Sequence, residues 1–343
     1  MNQKTLIVIA NEKVSESYGQ YYCENHDEKS IPEGLSKYNQ IRYLVRNSSK
    51  VGSHIINIKN IIISKNFFSF LCNVIKTLKI SHTNYLLISI TPLTFFSFII
   101  LFFFKKKTFV YLRSSGHEEY KYIFGTWAVC LYHLMYKIVT SGSKVIVCDY
   151  KLYNKNKSYL VLPSKLDSRW LSKQKPALLD EIRFLYVGRI NPEKGILKFI
   201  EMFKELKLKA KLTIVSKNKI LNEKAINIKF LGHGFETESL INIYDDHNIM
   251  ILPSFTEGHP QVVIEALSRK RPVIIFEEIT HIVKARKGIF VSKRNLADFS
   301  NTVSHIIKNY KDIQKGMEQN QLPTKDEFFL KINEILKIKD KYS

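Results

Sequence analysis

The chain has 343 residues, of which 45% are hydrophobic and 12% aromatic. This length is enough for two core-bearing domains, and the composition argues against a disordered protein. The formal net charge of +22 predicts an anionic partner: a nucleic acid, an anionic membrane surface or a phosphorylated substrate. The four cysteines show no metal-type spacing, which is typical of reduced thiols in a cytoplasm and argues against a disulfide scaffold.

The positive charge is concentrated in the first half of the chain. No Asp or Glu occurs between Glu33 and Glu118, and residues 37–165 carry 19 Lys and Arg against three acidic residues. Most of the positive field therefore belongs to one half of the molecule. We expect this half to associate peripherally with an anionic membrane surface, at the inner face of the cell membrane.

Short apolar runs alternate with helical stretches through the first half. The apolar run at 5–10 is too short for a signal-peptide core and predicts a first strand. Alternation of this kind indicates a parallel, doubly wound sheet. Strands are predicted at 5–10, 41–45, 85–90, 108–112 and 144–147, and helices at 67–79, 92–104 and 120–139.

The segment 80–104 has no charged residue and is followed by three lysines, Lys105 to Lys107. Its length would allow a membrane-spanning helix, and that alternative stays open. However, Thr91-Pro92 divides the run, and Pro favours the first position of a helix. We therefore expect a buried strand and then a helix that lies on a membrane surface, where each Lys near anionic lipid contributes about 1 kcal/mol.

The second half restarts the same alternation. We expect two Rossmann-like doubly wound domains facing a central cleft, at 1–162 and 181–322. The polar stretch 163–180 is the predicted linker, and 323–343 is a C-terminal helix packing back towards the N-terminal domain. Strands are predicted at 182–187, 211–215, 227–231, 249–252 and 272–275, and helices at 192–206, 236–244, 260–268 and 295–310.

Two cations stand close together after the strand at 182–187. Asn191 can cap the helix that follows and Pro192 can take its first position. Lys194 then lies in the first turn, where the helix dipole disfavours a cation, and Arg189 is near. A diphosphate between the two cations would relieve their repulsion. The alternative is that both are solvated surface charges.

Two carboxylates lie eight positions apart in the second half. Glu257 falls in a Gly-Pro loop after a predicted strand, and Glu265 falls in the apolar run of the next helix. A carboxylate in apolar surroundings needs a partner, because an unpaired buried charge is costly or shifts its pKa. Sugar hydroxyls would be suitable partners for both. Alternatively, Glu265 pairs with Arg269 at i, i+4 and Glu257 assists the helix N-terminus.

Taken together, Gly188-Arg189, Lys194-Gly195 and the stretch from Pro253 to Ala266 resemble the donor-binding half of glycosyltransferase family 4. These are retaining enzymes of the GT-B fold, and the resemblance implies that 1–162 binds the acceptor and 181–322 binds a nucleotide-sugar donor. The resemblance covers about residues 160 to 310, including Leu162 to Asp167, which are similar to the family's Pro-Asn-Gly-Val-Asp element. Over the first half of the chain the resemblance is only architectural.

The resemblance implies roles for individual residues. Arg189 and Lys194 match the cations that hold the donor diphosphate and stabilise charge on the departing nucleotide. Glu265 matches the acid that bonds the ribose hydroxyls, and Glu257 the acid that contacts the transferred sugar. His117, after the strand at 108–112, resembles the acceptor-side histidine. The other donor-binding positions that it implies are Gly188, Gly232, His233, Gly258, His259, Pro260 and Gln261.

Several positions depart from the family pattern. His259 stands where the family usually has an aromatic residue such as Phe, and Lys270 stands where it usually has Gly. Residues 216–219 replace a Gly-rich turn near the base, and residues 277–279 replace a Gly-rich loop. These departures leave the base and the sugar open. No acidic cluster has metal-ligand spacing, so we expect neither a divalent metal nor a cofactor besides the donor substrate.

The sequence therefore predicts a metal-independent, retaining glycosyltransferase. It would move a hexose-type sugar from a nucleotide-diphospho-sugar to a glycan or lipid-linked acceptor, in cell-surface polysaccharide, lipopolysaccharide or glycolipid assembly. A GT-B-fold nucleotide-sugar epimerase would share the donor pocket. A non-catalytic nucleic-acid-binding protein would account for the charge through phosphate contacts, although no obvious nucleic-acid module is present, and we expect no nucleic-acid partner.

Overall fold

The computed structural model describes residues 4–24, 26–150, 152–217, 226–232 and 234–338. The chain divides into two compact units, Met1–Pro163 with Asp326–Ser343, and Ser164–Lys325. The strands are β1 (Thr5–Ser17), β2 (Gln20–Cys23), β3 (Gln40–Asn47), β4 (His54–Ile56), β5 (Asn60–Ser64), β6 (Thr83–Ile88), β7 (Thr108–Leu112), β8 (Lys144–Val147), β9 (Ser158–Leu160), β10 (Ile182–Val187), β11 (Ala210–Val215), β12 (Ile228–Leu231), β13 (Ile249–Leu252), β14 (Val273–Phe276) and β15 (Ile289–Ser292).

The helices are α1 (His26–Leu35), α2 (Phe67–Thr77), α3 (Pro92–Phe103), α4 (Gly116–Phe124), α5 (Thr126–Gly142), α6 (Ser168–Leu171), α7 (Ile196–Lys204), α8 (Thr237–Asp245), α9 (Gln261–Ser268), α10 (Leu296–Lys308), α11 (Tyr310–Met317) and α12 (Lys325–Lys337), with 3₁₀ turns at Pro192–Lys194 and Glu277–Ile282.

The first unit is built on a parallel sheet in the order β5-β3-β1-β6-β7-β8-β9. β1 is longer than predicted, because its second half forms an antiparallel hairpin with β2, and β4 extends the hairpin. The hairpin turns at Tyr18 and Gly19, which both have positive φ. Glycine adopts a positive φ at little cost, which accounts for the glycine at position 19.

Helices cover both faces of this sheet, because alternate residues of β1 point to opposite sides. Ile7 and Ile9 share a buried cluster with apolar residues of α2, α3 and α5. Leu6 and Val8 belong to the cluster on the other face, which includes Phe328 from α12. The C-terminal helix thus completes the core of the first unit.

The second unit has a parallel sheet in the order β12-β11-β10-β13-β14-β15. Both sheets are Rossmann-like and doubly wound, as predicted. The strand order reverses between β10 and β13, and in the first unit between β1 and β6. Ligands of such sheets bind outside the carboxyl ends of the strands at this reversal point. The loops after β10 and β13 are therefore where a site is expected.

Two predicted helices are interrupted at glycines. The helix predicted at 120–139 is two helices, α4 and α5, which meet at Gly125 with φ 88°. The helix predicted at 192–206 is a 3₁₀ turn followed by α7, and they meet at Gly195 with φ 64°. A left-handed residue ends a run of helical hydrogen bonds, and glycine adopts it at little cost.

Residues of the predicted linker fold with the second unit. Asp167 begins α6, and its side chain accepts a hydrogen bond from the Arg169 amide at 3.0 Å. Trp170 is buried in the second unit's core beside Tyr244, with 5.5 Å between ring centroids. This short helix therefore belongs to the second unit.

The uncharged segment 80–104 divides into β6 and α3. The Thr91 side chain caps α3 by accepting from the Thr94 amide, and Pro92 takes the first position. α3 has 12 residues. No helix in the described part of the chain is long and apolar enough to cross a membrane.

Candidate active site

The loops that follow β10 and β13 lie side by side, because the two strands are neighbours in the sheet. The Phe255 amide donates to the Glu193 carbonyl at 2.9 Å. Gly195 sits where the loops are closest, and a Cβ there would lie 2.0 Å from the Pro253 carbonyl oxygen. Only glycine allows both this approach and the φ of 64° at this position.

An ion pair between Lys194 and Glu257 joins the two loops. The Lys194 Nζ atom lies 2.7 Å from Glu257 Oε1, and the Ser254 hydroxyl donates to the same oxygen at 2.7 Å. The side chains of Lys194 and Glu257 are only 21% and 10% exposed. The other carboxylate oxygen, Oε2, makes no hydrogen bond in the described part of the chain.

This pair corrects two expectations. Lys194 is an ion-pair partner within a loop contact, so the alternative that it is a solvated surface charge is wrong. It also lies in the 3₁₀ turn before α7, which begins only at Ile196, and not in the helix's first turn. Glu257 already neutralises the charge of Lys194. Repulsion between Lys194 and Arg189 therefore does not by itself require an anion between them.

Arg189 is the exposed cation of the site. Its carbonyl oxygen accepts from the buried Tyr186 hydroxyl at 2.6 Å, which fixes the backbone at the end of β10. Its guanidinium forms no ion pair with any described residue. Arg189 borders a cavity of about 280 Å³, whose other lining residues are Tyr186, Val187, Gly188, Lys194, Leu252, Glu257, Pro260, Gln261 and Val262.

The first turn of α9 forms one wall of this cavity. α9 begins at Gln261, and no side chain caps its N-terminus. Gln261 is held in place by the Lys165 amide, which donates to its side-chain oxygen at 3.2 Å. A helix N-terminus carries a partial positive charge. Arg189, Lys194 and the α9 terminus together make this cavity suitable for an anion.

Glu265 is buried on α9, with 6% of its surface exposed, and does not line this cavity. The Tyr244 hydroxyl donates to its Oε2 atom at 2.8 Å. Burial raises the pKa of Glu265, and the Tyr244 hydrogen bond opposes part of that rise. Its Oε1 atom makes no hydrogen bond in the described part of the chain. A buried carboxylate with one hydrogen bond has unused capacity for donors.

The alternative partner for Glu265 is ruled out by Arg269. Arg269 donates to both carboxylate oxygens of Asp245, at 2.9 and 2.7 Å, and both side chains are 1% exposed. The alternative i, i+4 pair between Glu265 and Arg269 is therefore wrong. Asp245 is a buried ion-pair partner in the core of the second unit.

Several residues that position the Glu257 loop were not identified from the sequence. The His281 Nε2 atom lies 2.7 Å from the Glu257 carbonyl oxygen. Arg294 donates to the Pro253 carbonyl at 2.7 Å and lies 4.1 Å above the Phe255 ring. Ser254, within the loop, could have been suspected from its spacing to the glutamate. The other two come from distant parts of the chain, and nothing local marks them.

The remaining predicted donor residues that the structure describes do not line the cavity. Gly258 and His259 are half-buried in the loop before α9. Gly232 follows β12, with no described atom within 4 Å of where its Cβ would lie, and His233 lies outside the described residues. Ser216, just after β11, has a buried hydroxyl that makes no hydrogen bond with any residue that the structure describes, which makes it a further candidate for ligand contact.

Lys270 retains a glycine-like backbone at the position where the family usually has glycine. Its φ is 54°, in the left-handed region. Its Nζ atom lies 2.6 Å from Glu318 Oε1, an ion pair on the surface. The turn after α9 therefore has the left-handed backbone that glycine favours.

In the first unit, His117 lies near the start of α4, beyond the carboxyl end of β7. Its Nε2 atom is 3.2 Å from His133 Nδ1, and its ring packs edge-on against Tyr132 with 4.7 Å between centroids. Burial, together with the positive charge that His133 can carry, lowers the pKa of His117. His117 is thus a neutral histidine in an aromatic cluster near neutral pH.

Residues 181–309 match the sequence profile described as "Glycosyl transferases group 1". The match lies entirely within the second unit. The matched region contains Arg189, Lys194, Glu257 and Glu265.

Two curated relatives are each 24% identical to this chain. One is N,N'-diacetylbacillosaminyl-diphospho-undecaprenol alpha-1,3-N-acetylgalactosaminyltransferase from Campylobacter jejuni, matched over 149 residues, 40% of this chain and 39% of that protein. The other is an uncharacterized glycosyltransferase from Methanocaldococcus jannaschii, matched over 199 residues, 54% of this chain and 55% of that protein. The matches thus span between about two-fifths and just over half of the relatives' lengths.

The solved structure of Anabaena HepE in complex with UDP is similar over nearly all of this chain. The TM-score is 0.68 at 12% identity, covering 97% of this chain and 99% of HepE. At this identity the likeness concerns the fold alone. The fold class is GT-B, as predicted.

Proposed function

We propose that this protein is a glycosyltransferase that takes its sugar from a nucleotide-diphospho-sugar. One observation carries the proposal: Arg189, Lys194 and the uncapped start of α9 surround one cavity with Glu257. The cavity lies at the reversal point of a doubly wound sheet, where such sheets bind ligands. The group 1 profile match over 181–309 supports it independently.

The site suits cleavage of the bond between a sugar and a diphosphate. The anomeric C–O bond breaks, the bonding electrons leave with the diphosphate, and positive character develops on the sugar. Arg189, Lys194 and the α9 terminus oppose the developing negative charge, which is electrostatic stabilisation of the transition state. Glu257 Oε2 can accept a hydrogen bond from a hydroxyl of the transferred sugar, and Glu265 Oε1 can accept one from a ribose hydroxyl.

The finer parts of the proposal concern stereochemistry and substrates. The acceptor hydroxyl attacks from the face that the diphosphate leaves, a phosphate oxygen takes its proton, and the configuration is retained without a divalent metal. The sugar is of the hexose type. The name of the Campylobacter jejuni relative begins with a diphospho-undecaprenol-linked sugar, which supports a lipid-linked acceptor. UDP in HepE supports UDP as the nucleotide. His117 positions the acceptor.

A thermal-shift screen against UDP-, GDP- and ADP-sugars tests donor binding, because a ligand of the native state raises the unfolding temperature by mass action. We expect one class to stabilise the protein, and stabilisation by none would contradict the proposal. Incubation of that donor with and without a lipid-linked glycan, in EDTA, then tests the reaction. Transfer with retained anomeric configuration by NMR is expected. An isomerised sugar formed from donor alone would identify an epimerase.

A further inference from the structure

One face of the first unit carries three neighbouring helices without an acidic residue. α2, α3 and α5 comprise 40 residues, and none is Asp or Glu. All three bury residues in the same core cluster on one face of the sheet, so their other sides point away from it. Those sides, with Phe104 directly after α3, expose apolar side chains, which we call the apolar face: Phe68, Ile75, Phe96, Phe102, Phe103, Phe104, Trp127, Leu131 and Leu134.

The apolar face is continuous across the three helices. Phe67 of α2 packs edge-on against Phe96 of α3, with 5.5 Å between ring centroids. Gly142, at the end of α5, is so close to Phe98 and Phe102 of α3 that a Cβ would lie within 3.0 Å of either ring. Phe103 is 77% exposed and Trp127 is 68% exposed. Contiguous apolar surface of this extent marks an interaction site.

Lysines lie along the apolar face and beyond its end. Lys76, Lys79 and Lys137 are exposed on or just after these helices, and Lys105 follows the Phe102–Phe104 triplet. None of these four lysines forms an ion pair with a described residue. A second copy of this chain placed symmetrically on the face would bring lysines against lysines, because a two-fold interface repeats the same surface. The charge therefore favours an anionic partner over self-association.

We propose that the apolar face docks on a bilayer that contains acidic phospholipids. Its aromatic side chains enter the boundary between headgroups and acyl chains, and its lysines contact headgroup phosphates. A bilayer meets both demands at once, since it offers apolar depth beneath a layer of negative charge. A soluble anion would satisfy only the lysines.

This docking also orients the acceptor side of the first unit, a consequence that rests on the proposed function. Phe124 of α4 is 54% exposed and contacts Tyr120, whose ring lies 4.8 Å from that of Tyr132. Tyr132 in turn packs on His117. The apolar face thus continues towards His117, where a lipid-linked acceptor would arrive from the same bilayer.

Vesicle flotation at low salt tests the docking, using phosphatidylcholine alone and phosphatidylcholine mixed with phosphatidylglycerol. We expect binding only to the mixed vesicles. The double variant Lys79→Ala, Lys105→Ala should bind about 30-fold more weakly, from about 1 kcal/mol per lysine. Lys311→Ala, Lys315→Ala removes the same charge from exposed positions of the second unit and should bind like the wild type.

The apolar contribution has its own variant and control. Phe103→Ala, Phe104→Ala should weaken vesicle binding by about tenfold or more, because each exposed phenyl ring loses its burial in lipid. Leu197→Ala removes an exposed apolar side chain from the second unit and should leave binding unchanged. Equal loss in both variants would overturn the assignment of this face.

Native cysteines report on the same face. Cys72 of α2 and Cys130 of α5 are exposed, whereas Cys23 and Cys148 are buried. An environment-sensitive fluorophore on Cys72 or Cys130 should shift to the blue when acidic vesicles are added. A fluorophore at Lys311→Cys, in a background lacking the two exposed cysteines, should not shift.

Three outcomes would overturn the proposal: equal binding to neutral and acidic vesicles, no shift at either native cysteine, or a dimer that Phe103→Ala, Phe104→Ala dissociates without vesicle binding. Docking is measured without donor, so its failure and failure of the donor site are separate results. Stabilisation of the Lys79→Ala, Lys105→Ala variant by nucleotide-sugar should equal that of the wild type, which also shows that the variant is folded.

Discussion

The two sheets share a strand order, but the segments that follow the strands at the point where this order reverses differ between them. In the second unit, β10 and β13 end together, and short loops bring Lys194 to Glu257. In the first unit, β1 runs on beyond the sheet into a hairpin, and Glu12 within it pairs with Arg113 after β7, at 2.5 Å. A tightly packed pair of loops demands particular residues, above all Gly195. The extended hairpin demands few, and the group 1 profile match falls within the second unit.

The largest expected effect comes from removing a cation of the second unit. Lys194→Ala should lower the transfer rate by about 10²- to 10³-fold, because one preorganised group that opposes the leaving charge is lost. The control is Lys211→Ala. It breaks an ion pair in which Lys211 Nζ lies 2.8 Å from Glu181 Oε2, at the amino-terminal ends of the strands and so away from the cavity. Steady-state kinetics measures the transfer rate of both variants. Rates within a few-fold of wild type for Lys194→Ala would show that the site is wrongly assigned.

The next effect concerns the loop contact itself. Gly195→Ala places a Cβ 2.0 Å from the Pro253 carbonyl oxygen at a positive φ, so we expect a loss of at least about 2 kcal/mol in the free energy of unfolding. Gly232→Ala, where the added Cβ would have no atom of the described residues within 4 Å, is the matched control and should lose much less. Denaturant titration measures both. Equal losses would mean that the close approach of the two loops is absent.

In the first unit, His117→Ala should raise the acceptor KM by about tenfold and leave donor binding unchanged. The folded pKa of His117 lies below 6.5, owing first to burial and then to His133. The His117 ring is therefore neutral above its folded pKa and becomes protonated as the pH falls through it. The acceptor KM of the wild type should rise in this acid range, and that of the variant should not. A pH profile identical in both would restrict His117 to packing.

Glu265→Gln tests the buried carboxylate through pH. Burial raises the pKa of Glu265 in the folded protein above 4.5. The buried carboxyl group is therefore neutral below pH 4.5 and costs no stability there. The free energy of unfolding falls as the pH rises through the folded pKa. Without ligand, the variant should match the wild type in acid and melt at a higher temperature near neutrality. Glu318→Gln should not, because Lys270 lowers the pKa of the exposed Glu318. A variant less stable than wild type at neutral pH would contradict this account.

The smallest effect is at the family's glycine position. Lys270→Gly removes a side chain from a left-handed backbone and should raise the free energy of unfolding by at most about 1 kcal/mol. The surface pair with Glu318 that is lost contributes little. Thermal unfolding measures the change, and a clear loss of stability would show that the ion pair outweighs the backbone strain.

Strand positions in both sheets could be predicted because the central strands are buried on both faces and are apolar almost throughout. β7, β8, β10 and β13 have the predicted limits. The elements missed are short or polar ones: β2, β4, β5, β9, β15, α1, α6 and α11. Their stability comes from tertiary pairing, which no local pattern records.

The candidate site divides in the same way. Arg189, Lys194 and Glu257 could be assigned to one site through the resemblance to glycosyltransferase family 4. Their partnership could not be foreseen, since the Lys194–Glu257 pair depends on two strands becoming neighbours. The same holds for Arg294 and His281, which reach the Glu257 loop from beyond β14.

The most direct test of the central claim is a crystal structure of the protein with a nucleoside diphosphate. The account predicts the diphosphate in the cavity beside the first turn of α9, with its oxygens in hydrogen-bond contact with Arg189 and Lys194. A diphosphate bound elsewhere, with the Lys194–Glu257 pair undisturbed and the cavity empty, would contradict it.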